Sequence, residues 1–523
     1  MISHIFNLLT LNQKRKKRIL MKNFKLIFAI LLAALFTFVG GKAFADTTYS
    51  LTISGTSEGH TYEAYQIFSG DLSSDGTTLS NIAWGSGVTA FTYDNATDAA
   101  TIAEKISGEK YDSTTAKAFA KLAGANVTTA SGSATSSAGS TVISGLAPGY
   151  YLVKDKDESQ NGKNAAYTRF ILQVVGDATA QLKNDTPTVQ KKVKDTNDTA
   201  GTTTDWQDSA DYDIGDTIPF QLKATLPAHI SEYDHYYVEF TDTLSAGLTF
   251  DKITKVTADG TTLTSDQYTV TTTSNSDGTT TLSVIITDVK AVATITKDDD
   301  IVVEYNATLN SKAVIGSAGN PNKVKLTYSN NPNNTGDGTS KPGDTGETPE
   351  DTVIVFTYKV VVNKVDQNGD ALDGAGFTLY KKVPDTSKDE GYRWDAVGDE
   401  ITGVTTFTFS GLDDGDYKLS ETTTPNGYNT IDDVVFTVTA DHDVESDSPA
   451  LNSLSGNVTT GSLTFTSNIT EDDASLTTDV VNKKGSVLPS TGGMGTTILY
   501  VVGTILVLAA GILLVTKKRM DAK

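Results

Sequence analysis

"YKLSETTTPNGY", Tyr417 to Tyr428, decides the fold of the chain around it. Tyr417, Leu419 and Glu421 recur at period two, so in an extended strand they project to one face. The Thr-Pro-Asn-Gly cluster then closes the strand with a turn. If Leu419 is core, Glu421 is core as well, and a buried carboxyl needs a partner. Two other runs offer partners. "KVVVNKVD" (359–366) places Lys364 after an apolar run, and "TDVVNKKG" (478–485) puts Asn482 in phase with Val480. These would be the first, middle and last strands of one β-sandwich. Burial drives a lysine to lose its proton and a carboxyl to keep one. A neutral amine is a nucleophile, and a protonated acid can relay protons beside an amide. Such a trio can form a Lys–Asn isopeptide bond and release ammonia.

The same alternation extends outward. "YSLTIS" (49–54), "TLSVIITD" (281–288), "IVVEYNATL" (301–309) and "VVFTVTA" (434–440) are separated by Gly/Asn/Asp turns, the pattern of tandem all-β sandwiches. Only 97–124 reads as helical, an insertion on the first domain. "NDTPTVQ" (184–190) and the Pro/Gly/Asn/Thr-rich run 330–351 interrupt the pattern, which predicts domains at 46–185, 186–335 and 352–485 with a linker at 336–351. "GLAPGYYLVKD" (145–155) aligns with "GLDDGDYKLSE" (411–421), tyrosine on tyrosine and Asp155 on Glu421.

The middle domain repeats the logic. "PTVQKKVKD" offers Lys191 in phase with Val193, "VEFTDTLSAGLTF" offers Asp242 in phase with Val238 and Phe240, and "PNKVKLTY" offers Asn322. Glu239 points the other way, as do Lys192 and Lys194, which read as solvated.

The two ends belong to no domain. A basic N-terminal region precedes an apolar run and "AFA", which predicts a signal peptide over 1–45 cut after Ala45, with Met1 or Met21 as the start. At the other end, residues 486–523 hold "LPSTG" (Leu488, Pro489, Ser490, Thr491, Gly492), an uncharged stretch Ile498–Val515, and Lys517, Lys518 and Arg519. That stretch is close to bilayer length, with a basic cytoplasmic end. A plain tail anchor has the same ingredients. The formal net charge is −22, which excludes a nucleic-acid binder. There is no cysteine among the 523 residues, so covalent bracing must come from other chemistry. The five histidines lack metal-ligand spacing, no phosphate loop or nucleophile elbow occurs, and no metal or cofactor is expected.

The C-terminal set resembles a cell-wall sorting signal read by sortase transpeptidases. That resemblance implies cleavage between Thr491 and Gly492 and transfer of the Thr491 carbonyl to an amine. The third domain resembles CnaB-type sandwiches with a pilin E-box, and the middle domain resembles the isopeptide-forming domain of streptococcal-type backbone pilins. The resemblance covers most of the exported chain. It implies bonds Lys191–Asn322 and Lys364–Asn482, assisted by Asp242 and Glu421, in immunoglobulin-like CnaA/CnaB-type folds.

It further implies a wall-anchored pilus shaft subunit rather than an enzyme, joined head to tail to other copies of itself and supporting adhesion to and colonisation of a host. Its partners would be a pilin-specific class C sortase, a housekeeping sortase, ancillary pilins, peptidoglycan and host surface molecules. The linkage lysine of such pilins often lies in a Tyr-Pro-Lys-Asn-like stretch. Here Lys183-Asn184 lacks the tyrosine and proline, so Lys183 stands as the expected acceptor with a plain surface lysine as the alternative. The first domain has Gly55 where Lys364 aligns, and no bond is expected there. The alternative functions are a monomeric wall-anchored adhesin, which has no use for Lys183, and a minor pilin.

Overall fold

The computed structural model describes residues 47–110, 113–182, 185–485 and 494–520. Nearly all regular structure before residue 486 is β-strand, arranged as three successive sandwiches.

In the first, strand Tyr49–Thr56 lies between Gly139–Leu146, antiparallel, and Ala178–Gln181, parallel. The facing sheet runs Leu79–Trp84, Thr61–Leu72, Gly149–Asp155, Arg169–Val174. Leu51, Ile53, Tyr62, Ala64, Tyr151 and Val153 fill the space between the sheets. The outer face of the second sheet is also apolar. It receives helices Ala99–Lys105 and Thr114–Gly124 through Tyr65, Phe68, Ile102, Phe119 and Leu152. Asp98 and Ser113 start these helices by accepting from the Thr101 and Ala116 amides, as N-cap residues do. Burial on both faces explains why "GYYLVKD" carries apolar residues without alternation.

The middle sandwich packs a sheet holding strands Val238–Leu244, Thr280–Ile286 and Asn320–Ser329 against one holding Thr188–Val193, Thr217–Thr225 and Asp300–Leu309. The third packs Tyr358–Asp366, Thr406–Leu412 and Asp473–Asn482 against Gly376–Pro384, Gly415–Thr423 and Val434–His442. Its first strand pairs in parallel with its last, Lys364 opposite Val480 and Asp366 opposite Asn482. Tyr151 and Tyr417, matched in the internal repeat, each donate a hydroxyl to the carbonyl four residues back, Ala147 at 2.8 Å and Asp413 at 2.9 Å.

The stretch expected to be a free linker, 336–351, is built into the structure. Strand Thr345–Glu347 pairs with Asn320–Ser329, and Asp351–Phe356 completes the middle sheet between that strand and Ser209–Asp211. The middle sandwich therefore runs on to Phe356. Composition misled because the asparagines here are structural: Asn331 Nδ2 donates to Asp344 at 2.9 Å, and Asn330 Nδ2 donates to the carbonyls of Gln160 and Ala165. Short polar side chains take over the backbone's hydrogen-bonding duties. With Tyr167 N donating to Asn330 O and Gly162 N to Thr345 O, they seam the first domain to the middle one.

The last helix, Met494–Met520, contains an apolar span, Ile498–Met520, with mean hydropathy 2.8 and Lys517, Lys518 and Arg519 in its final turn.

Candidate functional site

Three groups from two facing sheets of the middle domain converge. Lys191 comes from the Thr188–Val193 strand of one sheet; Asp242 and Asn322 come from neighbouring strands of the other. All three are fully buried. Lys191 Nζ donates to Asp242 Oδ1, and lies 3.0 Å from the Tyr305 hydroxyl. Tyr305 in turn donates to Asp242 Oδ2 and accepts from Asn322 Nδ2 at 2.7 Å. The Asn322 Oδ1 atom has no hydrogen-bond partner. Lys191 Nζ sits 5.2 Å from the centroids of both the Phe220 and Tyr305 rings.

This setting fixes the proton. Burial pushes the Lys191 ammonium pKa down, against the pull of Asp242. Burial likewise pushes the Asp242 carboxyl up, against Lys191 and the hydrogen bonds from Lys191 and Tyr305. Both shifts favour a neutral amine beside a protonated acid, since desolvation penalises each charged form. Lys192, on the opposite face, is not freely solvated as expected: it pairs with Asp208 at 2.5 Å. Lys194 lies 5.0 Å above the Trp206 ring.

In the third domain Lys364, Glu421 and Asn482 are buried. Asn482 Nδ2 donates to Glu421 Oε1 at 2.7 Å, and the Ile431 amide donates to Glu421 Oε2 at 3.0 Å. Lys364 Nζ is held by the Val480 carbonyl at 3.0 Å and the Val365 carbonyl at 3.3 Å. Burial lowers its pKa to about 8, opposed only by Glu421. Asn482 Oδ1, like its counterpart Asn322 Oδ1, is buried without a partner. Inward phase along three strands places each trio. Tyr305 was missed because an aromatic in phase with Ile301 and Val303 reads as ordinary core; nothing in "IVVEYNATL" marks its hydroxyl.

The first domain differs. Asp155, which aligns with Glu421, accepts from the Thr168 amide at 2.7 Å and meets His60 Nδ1 at 2.8 Å. Gly55 holds φ +75°, a conformation suited to glycine, and a Cβ there would touch Leu182 O at 3.4 Å. A histidine just before the neighbouring strand Thr61–Leu72 thus occupies this acid, where in the middle domain a lysine engages Asp242. Lys183, the sorting pentapeptide 488–492 and Ala45 lie outside the described residues.

Comparison with known protein families matches residues 214–332 to the Gram-positive pilin backbone subunit 2 Cna-B-like domain and 358–448 to a prealbumin-like fold domain. Residues 480–522 match the LPXTG cell wall anchor motif. These are the parts of a Gram-positive backbone pilin. The pilin is 26% identical over 407 residues to the trypsin-resistant surface T6 protein of Streptococcus pyogenes serotype M6, spanning 65% of this chain and 70% of that one. Its fold is similar to the solved T6 backbone pilin of that serotype, with a TM-score of 0.53 and 19% identity over 84% of this chain and 99% of the other. The major pilin SpaD of Corynebacterium diphtheriae aligns with a TM-score of 0.48 and 20% identity over 84% of this chain and 98% of that one. The pilin is a cell-wall-anchored surface protein, and the C-terminal apolar helix holds its precursor at the membrane. It is a structural subunit that assembles with copies of itself.

Proposed function

We propose that this pilin forms the shaft of a pilus, cross-linked within each subunit at Lys191–Asn322 and Lys364–Asn482 and between subunits at Thr491 and Lys183. The observation that carries the reading is the pair of buried lysine–acid–asparagine trios. In each, the neutral lysine Nζ attacks the asparagine Cγ. Asp242 or Glu421 donates its proton to the amide oxygen, takes up a proton from the new ammonium, passes one to the amide nitrogen, which departs as ammonia, and recovers the proton on the oxygen as the carbonyl re-forms. The C–N bond formed replaces the C–N bond broken, and the acid ends as it began. In the third domain this requires Asn482 to turn its unpartnered Oδ1 toward a protonated Glu421. The protein acts once on itself and on no other substrate.

At the C-terminus, a class C sortase would cut between Thr491 and Gly492 and pass the Thr491 carbonyl to Lys183 Nζ of the next copy. A housekeeping sortase would attach the finished fibre to peptidoglycan. Ancillary pilins and host surface molecules would complete its contacts in adhesion. The intact mass of the exported chain tests the internal bonds: it should fall short of the sequence by two ammonia molecules, and a full mass would overturn them. The external bond is tested by immunoblot of wall extracts. A high-mass ladder should collapse in Lys183→Ala; a persistent ladder would move the linkage to another lysine, and no ladder in wild type beside its sortase would leave a monomeric wall protein.

A further inference from the structure

The junction between the middle and third domains holds a second polar cluster that the cross-linking chemistry does not use. Asp195 and Asp211 come from the middle domain, and His442 ends the Val434–His442 strand of the third. The His442 side chain is only 8% exposed and its ring packs on Phe356. Its Nδ1 lies 2.7 Å from Ser209 Oγ, and the Ser209 hydroxyl donates to the Asp443 carbonyl. With that hydrogen committed, Ser209 Oγ accepts from Nδ1–H. The neutral ring then carries its lone pair on Nε2.

That lone pair faces two carboxylates, Asp195 Oδ2 and Asp211 Oδ1, each 3.9 Å away. Among the described residues no hydrogen bond reaches Nε2, and the buried Asp195 Oδ1 and Asp211 Oδ2 have no close hydrogen-bond partner, although the Tyr358 hydroxyl and Asp413 face Asp211. Asp211 is 2% exposed. One nitrogen and two carboxylate oxygens lie within 4.8 Å of one another, and Asp413 and Asp414 share the same spacing with Asp211. Lys381 serves the other side of the cluster, pairing with Asp198, Asp213 and Asp413. No lysine or arginine among the described residues pairs with Asp195 or Asp211.

A lone pair aimed between two carboxyl groups calls for a cation or a shared proton among them. A divalent ion about 2.0–2.2 Å from each donor needs donors a little over 3 Å apart, a small contraction from the spacing seen. The Nδ1–H bond to Ser209 is the outer contact that orients a metal-binding imidazole.

We propose that Asp195, Asp211 and His442 form a site for one divalent transition-metal ion of the zinc or manganese class, tying the middle domain to the third. One imidazole with carboxylates suits those ions better than calcium, which prefers an all-oxygen shell. Histidine spacing concealed the site from the sequence, because its ligands come from three separated segments.

The test is calorimetric titration of the chelator-stripped secreted chain with zinc, manganese or calcium chloride. Zinc or manganese should bind one per chain and raise Tm. His442→Gln and Asp195→Asn should each weaken that binding at least tenfold, while the mass deficit of the cross-linked chain stays unchanged in both. Should His442→Gln fold poorly, the less buried Asp195→Asn decides. Absence of stoichiometric binding by either transition metal, binding by calcium alone, or binding that both variants leave intact would overturn the site.

Discussion

Lys364 and Lys381 are both buried in or beside the third domain, yet their surroundings push them opposite ways. Lys364 has one carboxylate in its neighbourhood and otherwise carbonyls and apolar side chains, so desolvation dominates and its pKa falls to about 8. Lys381 is desolvated too, but Asp413, Asp213 and Asp198 together outweigh the burial and raise it above the ordinary lysine value. Burial alone does not make a nucleophile. The number of carboxylates facing the amine decides whether it keeps its proton, and a protonated amine cannot attack. Lys191 falls on the reactive side because burial outweighs Asp242 and Asp351, and Asp242 is itself pushed toward the protonated form.

The largest expected effect breaks the reactive side. Asp242→Ala and Glu421→Ala should each restore one ammonia to the intact mass and lower thermal stability. A cross-link closing a loop on the order of a hundred residues is worth about 4–5 kcal/mol by chain entropy. A variant that kept its mass deficit would show that the acid is dispensable. The other side breaks differently. Lys381→Met should cost about 3 kcal/mol by leaving buried carboxylates without their cation, with the mass unchanged. Peptide mapping of the wild type should find Lys381 unmodified; a Lys381–Asp413 cross-link, with loss of water, would collapse the contrast.

A pH series sharpens it further. Asp195 is raised to about 7 and Asp216 to about 6, both chiefly by burial. The folded chain therefore holds protons here that the unfolded chain has already released. Stability is gained as pH falls through 7 and 6 and lost as it rises, each pKa unit being worth about 1.4 kcal/mol. The metal-free protein should melt higher at pH 5 than at pH 8, and Asp195→Asn should flatten the difference. The smallest effect falls on Tyr305. Tyr305→Phe removes the hydroxyl that contacts Lys191, Asp242 and Asn322. Ammonia loss in freshly refolded protein should slow at least tenfold, while the finished protein loses about 1 kcal/mol. An unchanged time course would reduce Tyr305 to packing.

What could be read beforehand follows period two. Alternation puts Lys191, Asp242, Asn322, Lys364, Glu421 and Asn482 on inward faces, and the sandwiches follow from the same alternation. It says nothing about a hydroxyl at the tip of a core aromatic, hence the silence on Tyr305. It cannot show that Asn330 and Asn331 bond across a domain seam, so their asparagine-rich stretch looked like open linker. Nor does it bring His60 to Asp155, because strand pairing rather than chain spacing makes that contact.

The parallel pairing of Tyr358–Asp366 with Asp473–Asn482 has a mechanical consequence. Pulling on the two ends of the third domain loads these neighbouring strands in shear. With Lys364 joined to Asn482, force entering at Tyr358 travels along the first strand, crosses the new bond, and leaves at Lys483. Every residue from Val365 to Val481 hangs off that route as a slack side loop. A fibre of such units would transmit a tug from the tip to the wall through a short covalent spine, and its folded bulk would bear none of the strain.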